Sequence, residues 1–556
     1  MALSVAAPSD DNCVMQGQQR SRTEGDRTAE GDFATRFPNQ MKPSDAVMWD
    51  IEKDPVLRST ITAVAMLDRE PDWDRFVERI DRASRLIPRL RQRVVIPPLR
   101  LATPRWVLDE NFDLGYHVRR VRAPAPGGLR EVLDVAQPIA MAPFDRARPL
   151  WEFTLVEGLD GGGAALIQKL HHSLTDGVGA VELALLMLDS ERDPVEAVTM
   201  PDPPRLDRPG AVVSVSATAG DMLSWWARSM VRIPTTALSA AVSTVRKPVG
   251  TATATRDLVV SAAKVLAPMS APEQEVLHTR TLARRFHIIE IPLAELKEAG
   301  RAASGTVNDA FLAAVIEGLR RYHRLQGAEV DELRVTMPVS LRQAGDDLGG
   351  NRFAPARFAV PANIDDPIVR MRRLGQIARD WQHEPALELT ESLAYVLDRL
   401  PVRVTTALFG SMLKHIDTVV TNVPGLPARA YLAGAEVVRE YAFAPTAGAA
   451  VNVALVSHCD LACIGIVVDT GAVSDEEQLV QSIVDGFADV VSVGGSASAK
   501  KASAKKASAK KVAASAKKAS AKKAPAKKAP ASAKKAPASA KKAPAKKGRA
   551  RPNGAA

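Results

Sequence analysis

Apolar positions along this chain recur with two periods, and the switches between them predict its elements. Trp73 to Ser84 carries apolar residues at helical spacing. Ala164-Ala165-Leu166-Ile167-Gln168-Lys169-Leu170 is a near-continuous apolar run of strand length, and Val178 to Leu188 returns to the helical period. Ser44 is placed to cap a short helix running through Met48 and Trp49. Further along, Arg285 to Ile291 alternates like a half-buried strand. Thr306-Val307-Asn308-Asp309 caps a helix that places Phe311, Leu312, Val315 and Leu319 on one side. Arg334 to Val339, Arg357 to Val360 and Val451 to Val456 read as strands. Ser474-Asp475-Glu476-Glu477 is a capping-box pattern that opens a last helix reaching about Val493. Strands and helices mixed in this order imply an α/β (α+β layered) fold.

Breaks in the pattern divide the chain. Residues 1–40 are polar and aperiodic and read as a disordered leader; 41–195 form a first α/β domain. Pro201-Asp202-Pro203-Pro204-Arg205 opens a linker with crossover helices over 196–284. Within it, Ala211 to Arg246 carries Leu223, Trp225, Trp226, Met230 and Val231 and is interrupted at Pro234. It is expected to be a crossover helix packed on the body, with an interfacial helix as the other reading. A second α/β domain covers 285–495. Residues 496–556 repeat Ala-Ser-Ala-Lys-Lys and Ala-Pro-Ala-Lys-Lys, have Val512 as their one apolar residue beyond Ala, and read as disordered.

Charge separates the tail from the body. Residues 491–556 carry 18 Lys and 2 Arg with no acid, hence +20, whereas the whole chain is 74 − 64 = +10. Residues 1–490 are therefore 54 − 64 = −10, so the basic balance describes the tail and says nothing of nucleic-acid binding by the body. The tail has no aromatic side chain to stack on bases. Its expected partners are anionic lipid headgroups or nucleic acid met through charge alone. Three cysteines, Cys13, Cys459 and Cys463, make no disulfide framework and suit a reducing compartment. No secretory segment or spanning apolar run is visible, so the expected location is cytoplasmic.

The chemistry concentrates in His171-His172-Ser173-Leu174-Thr175-Asp176-Gly177, between the apolar run and the following helix. Moving an acyl group onto a hydroxyl needs a base, and a neutral imidazole suits that task. Adjacent residues leaving a strand point in opposite directions, which separates the two imidazoles into different roles. His172 is the candidate base, His171 the candidate brace, and Asp176 an anchor folded back beneath the loop. Gly177 allows close backbone approach and unusual dihedrals. His117, His278 and His323 stand alone and read as core or surface residues. Consecutive histidines do not converge readily on one ion, and no Cys/His cluster has zinc spacing, so no metal is expected.

This heptapeptide resembles the His-His-x-x-x-Asp-Gly motif of the coenzyme-A-dependent acyltransferase superfamily, which includes chloramphenicol acetyltransferase and peptide-synthetase condensation domains. Arg148-Pro149-Leu150-Trp151-Glu152, Val307-Asn308-Asp309-Ala310, Met337-Pro338-Val339-Ser340-Leu341-Arg342, Gly350-Asn351-Arg352 and Thr421-Asn422-Val423-Pro424-Gly425 narrow it. Over about residues 41–495 the chain is similar to the bacterial wax ester synthase/diacylglycerol acyltransferases. No Asp-Phe-Gly-Trp-Gly signature of the plant branch and no carrier-protein domain occurs.

The resemblance implies two chloramphenicol-acetyltransferase-like domains with the active site at their interface. It also implies acyl-CoA as co-substrate with no bound cofactor, and direct transfer without an acyl-enzyme, His172 acting as base. Asn308 and Asp309 become site residues by the same resemblance. The residues alone leave Asn308 between helix capping and donation to an oxyanion, and favour packing over binding for Trp151. The expected reaction joins long-chain acyl-CoA to diacylglycerol, giving triacylglycerol, or to a fatty alcohol, giving wax ester. It would run at the inner membrane face or on lipid inclusions, with the protein bound peripherally. Two alternatives remain open at this point: a condensing enzyme with a polyketide or peptide acceptor, and a non-catalytic protein binding lipid droplets or DNA through its tail.

Overall fold

The structure, a computed structural model, describes residues 39–97, 103–194, 199–204, 276–340, 353–384 and 401–494, with residues 394, 397 and 398. The leader, the Trp225–Trp226 segment and the lysine tail lie outside the described residues, as do Gly350-Asn351-Arg352. Fourteen strands are described: β1 (Thr60–Leu67), β2 (Gln92–Val95), β3 (Arg105–Leu108), β4 (Val118–Arg122), β5 (Trp151–Glu157), β6 (Ala164–His171), β7 (Arg284–Pro292), β8 (Glu332–Ser340), β9 (Phe353–Pro361), β10 (Thr418–Pro424), β11 (Tyr431–Leu432), β12 (Ala435–Phe443), β13 (Val451–His458) and β14 (Leu461–Asp469). The helices are α1 (Pro43–Ile51), α2 (Trp73–Leu86), α3 (Leu114–His117), α4 (Leu129–Met141), α5 (Gly177–Leu185), α6 (Leu293–Ala302), α7 (Val307–Leu325), α8 (Pro367–Gln382), α9 (Val402–Leu413) and α10 over residues 476–494.

Twelve of these strands form two six-stranded sheets, ordered β11-β12-β1-β6-β5-β4 and β7-β14-β13-β10-β8-β9, and β2 pairs with β3 in a separate two-stranded sheet. The expected α/β layering is present. β6 is buried at every position because strands flank it and both faces are covered, which is why it reads as an unbroken apolar run. The first sheet buries Phe76 and Ile80 of α2 on one face. Its other face meets the second sheet, where Phe286 of β7 stacks on Phe443 of β12 at 4.2 Å and 3° between planes. A separate core gathers α7, β8, β13, β14 and α10.

The sheets do not divide where the sequence pattern does. β11 and β12 come from the expected 285–495 domain, yet β12 pairs antiparallel with β1, Thr62 opposite Phe443 and Ala65 opposite Glu440, and so extends the first sheet. This covers the edge of β1 that would otherwise be open for pairing. The same strand comes so close to β14 that a Cβ at Gly465 would collide with the Ala442 carbonyl.

Local signals held in most places and shifted in two. α2 starts at Trp73 under an Asp72 cap, whose carboxylate accepts from Arg75 N, and runs two residues past Ser84. Thr306 and Asp309 form the capping box of α7, which extends to Leu325. Ser44, however, does not cap α1. The helix starts at Pro43, whose fixed φ and missing N–H suit the first turn, and Ser44 lies inside it. Asp475, not Ser474, caps α10, its Oδ1 accepting from Gln478 N at 2.9 Å.

Candidate active site

The histidine doublet sits where β6 ends. β6 runs antiparallel to β1 and β5, and three backbone bonds set its last residues. His171 N donates to Leu150 O at 3.0 Å, His172 N donates to Ser59 O at 2.8 Å, and Leu174 N donates to His171 O at 2.9 Å. The turn then closes on α5. Asp176 is the N-cap, Oδ1 accepting from Gly179 N at 2.9 Å, and Gly177 is the first residue of the helix rather than a strained turn position. Asp176 is buried at 6% exposure, so its carboxylate holds a helix start away from solvent. α5 in turn packs against β10, which carries Thr421-Asn422-Val423-Pro424 at its end.

The two imidazoles have different surroundings. His171 is 1% exposed and sits edge-on to Trp49 and Phe144, at 5.8 and 6.1 Å between ring centres. Its Nδ1 accepts from Ser173 N at 3.0 Å and stands 2.7 Å from Ser173 Oγ. Nδ1 is therefore an acceptor, which leaves the ring proton of the neutral form on Nε2. Nε2 lies 3.0 Å from Glu52 Oε1, within ion-pair reach of that carboxylate. His172 is half-buried, its backbone held while its neighbour is locked inward.

Glu52 is the residue the sequence reading missed. It follows α1 directly, and Oε1 also accepts from Ser59 N at 2.7 Å, while Oε2 accepts from Arg146 Nη2 at 3.1 Å. Burial alone would raise its pKa. The His171 charge and hydrogen bond, then the Ser59 N–H and Arg146, outweigh that and hold the carboxyl at about 2. Ser59 thus receives Glu52 on its N–H and His172 on its carbonyl, so one carboxylate steadies both members of the doublet. Arg146 lies 4.0 Å over the Trp49 ring, which closes the cluster. One local hint existed: an acid at the C-terminal end of a helix opposes the helix dipole, and such a placement asks for a tertiary partner.

The remaining expected residues support the frame. Trp151 is fully buried, its Nε1 donating to Leu90 O at 2.7 Å, and it stacks at 4.5 Å on His117, whose Nδ1 lies 2.6 Å from Trp151 O. That is packing, and Leu150 beside it supplies the carbonyl for His171. Asp309 closes the capping box on Thr306 N at 2.8 Å and takes Arg379 Nη1 of α8 at 3.2 Å. Asn308 Nδ2 points to Met337 Sδ of β8 at 3.8 Å. These two residues open α7 in the second sheet's layer, whereas His171, His172 and Asp176 lie on one turn. Of the isolated histidines, His117 and His323 are buried and His278 is exposed.

A small cavity of about 70 Å³ opens between the two sheets, with Arg58 and Arg284 among its lining residues. Thr60, the strand partner of His171, lines it together with Met141, Phe286, Phe443 and Val467, so its walls come from both sheets. Among the described residues no group of three or more His, Cys, Asp or Glu side chains could hold a metal ion. Nor is any helix among them long and apolar enough to cross a membrane. Cys463 faces this inter-sheet core, where burial pushes its thiol up to about 11, out of the range of a nucleophile at neutral pH.

A histidine doublet closing a central strand, an aspartate-capped helix after it and a second sheet against that helix define a coenzyme-A-dependent acyltransferase fold. Residues 41–311 match the wax ester synthase/diacylglycerol acyltransferase catalytic domain, and residues 349–490 match the C-terminal domain of the same family. The chain belongs to that family and is an acyl-CoA-dependent acyltransferase. A Mycobacterium tuberculosis protein named as a diacylglycerol O-acyltransferase is 38% identical over 483 residues, covering 85% of this chain and 96% of the relative. A second from that organism, tgs1, is 28% identical over 78% of this chain and 91% of its own length. The wax ester synthase/diacylglycerol acyltransferase of Marinobacter aquaeolei VT8 shares the fold, with TM-score 0.55, 23% identity, and coverage of 82% of this chain and 100% of that one. The first condensation domain of the calcium-dependent antibiotic synthetase shares it too, at TM-score 0.54 and 13% identity over 82% and 96%.

Proposed function

We propose that this enzyme transfers a long-chain acyl group from acyl-CoA to the free hydroxyl of diacylglycerol, forming triacylglycerol, and that fatty alcohols serve as second acceptors giving wax esters. The observation that carries the mechanism is the asymmetry of the doublet. His171 is locked onto Ser173 and Glu52, whereas His172 is half-buried and held through its backbone N–H on Ser59 O.

His172 takes the proton from the acceptor hydroxyl as its oxygen attacks the thioester carbonyl carbon. The tetrahedral intermediate collapses with loss of the CoA thiolate, which recovers the proton from the His172 imidazolium. One ester bond forms, one thioester bond breaks, and no acyl-enzyme intervenes. His171 and Asp176 hold the loop, Gly177 and Trp151 support it, and Asn308 with Asp309 shapes the far wall of the cleft. The protein works peripherally at the inner membrane face or on lipid inclusions. Its lysine tail draws it to anionic lipid or nucleic acid, affecting location and not chemistry.

The reading is tested by offering radiolabelled acyl-CoA with diacylglycerol, monoacylglycerol and fatty alcohol to the purified full chain and separating the lipid products. Label in triacylglycerol, with a smaller yield of wax ester, is the expected result. Label confined to a non-lipid amine or hydroxyl acceptor added in parallel would replace the proposed acceptor class.

A further inference from the structure

The cavity between the sheets carries charge and hydrogen-bonding capacity that the described residues do not satisfy. Its polar wall is made of Arg58, Thr60, Thr62, Arg284 and Thr446, and no Asp or Glu is among its lining residues. Arg284 is neutralised from outside the cavity, Nη1 standing 2.9 Å from Asp469 Oδ2. Arg58 is half-buried, donates Nη1 to the neutral Met141 carbonyl at 2.7 Å, and forms no ion pair among the described residues. Thr62 is 1% exposed, and its hydroxyl has no hydrogen-bond partner among the described residues. Buried hydroxyls are nearly always paired, and a guanidinium drawn away from water is stabilised by an anion.

These groups sit on the stretch of chain that holds the doublet. Arg58 and Thr60 flank Ser59, whose N–H donates to Glu52 and whose carbonyl accepts from His172 N. Thr60 also pairs with His171 across the sheet. Thr60 and Thr62 share one face of β1 by strand alternation and present together to the cavity. Arg284 begins β7, so the opposite wall belongs to the second sheet. At about 70 Å³ the space exceeds the about 10–15 Å³ that one water needs. It falls well below the roughly 300 Å³ at which pockets for larger organic ligands begin. The ligand that suits it is therefore small, and one uncompensated guanidinium asks for one negative charge.

We propose that this cavity binds one small monovalent oxyanion, a carboxylate of the size of acetate, and that the bound anion braces the 58–62 segment against β7. With Nη1 on Met141, Arg58 keeps Nε and Nη2 to take both oxygens of a carboxylate, and the Thr62 hydroxyl donates to one of them. The site is separate from those of the acyl donor and the acceptor, both of which are too large for it. Its effect on the reaction runs through Ser59, which Arg58 and Thr60 fix from either side.

The test compares thermal unfolding of the full chain in sodium acetate and in sodium chloride at equal ionic strength, for wild type, Arg58→Gln and Thr62→Val, the lysine tail being present in all three. Acetate well above its Kd should raise the wild-type Tm by about 2–5 °C over chloride, by mass action on the folded state. Arg58→Gln should lose that rise. Thr62→Val should lose most of it and yet be at least as stable as wild type in chloride, because valine removes an unpaired hydroxyl and keeps the shape. That reversal between the two salts is something a merely structural threonine would not show. In turnover, acetate should raise kcat for acyl transfer by wild type and not by Arg58→Gln, with KM for acyl-CoA unchanged. An acetate rise of equal size in all three proteins is a general salt effect and overturns the site. Equal protection of wild type by chloride and acetate overturns the oxyanion assignment. A rise in KM for acyl-CoA on adding acetate would place the anion in the donor's own site and defeat the proposal, leaving the acyltransferase reading intact.

Discussion

Replacing Glu52 with glutamine removes one charge from the centre of the candidate site and almost nothing of its shape. The amide would still present an oxygen to Ser59 N, so the backbone bridge to His172 survives, but His171 Nε2 and Arg146 lose their anion. The carboxyl falls from an ordinary 4.5 to about 2 in the folded protein. At about 1.4 kcal/mol per pKa unit, that difference is worth about 3 kcal/mol at neutral pH, to order of magnitude. The side chain is 10% exposed, so solvent screening takes little from this figure. A carboxyl with a depressed folded pKa gives stability that is fully present above its unfolded value near 4.5. That stability is lost as pH falls through about 2. Denaturant midpoints of wild type and Glu52→Gln should therefore differ most at pH 7 and converge on going to pH 3, where roughly half of the contribution remains. A difference that stays constant across that range would refute the claim that ionised Glu52 steadies the doublet. So would a variant as stable as wild type at pH 7.

Other outcomes follow from the same geometry. Asp176→Ala strips the N-cap from α5 and should cost about 0.5–2 kcal/mol in thermal unfolding, while Asp176→Asn, which also caps, should recover most of it. Gly375→Ala on α8 would normally favour a helix, but here the new Cβ would stand 2.6 Å from Asp309 Cγ. It should lower stability by about 1–3 kcal/mol by forcing α7 and α8 apart, seen as a lower Tm.

What was legible in the sequence was local. The strand-to-helix switch around His171 and Asp176 could be read because an apolar run, a cap and a helical period lie within a short stretch of chain. Trp151 was recognisable as packing by its neighbours, and Thr306 with Asp309 as a capping box. The non-local partners were not legible. Glu52 meets His171 across more than a hundred residues, and β12 crosses from the second half of the chain to pair with β1 in the first. Neither pairing leaves a spacing that a linear reading can use, because each is decided by which faces the sheets bury against each other. Ser44 shows a subtler loss: two good helix-starting residues stood side by side, and Pro43 took the first turn. Asp309 was expected in the cleft, and its bonds to Thr306 and Arg379 tie it first to helix packing.

The central claim is that His172 carries the proton while His171 carries the loop. The direct measurement is single-turnover transfer of radiolabelled acyl-CoA to diacylglycerol by purified His172→Ala, with Glu52→Gln beside it and folding checked by circular dichroism. The account predicts a folded His172→Ala protein whose triacylglycerol formation falls by about 10²–10⁴, with Glu52→Gln losing far less. Normal transfer by a folded His172→Ala protein would contradict it.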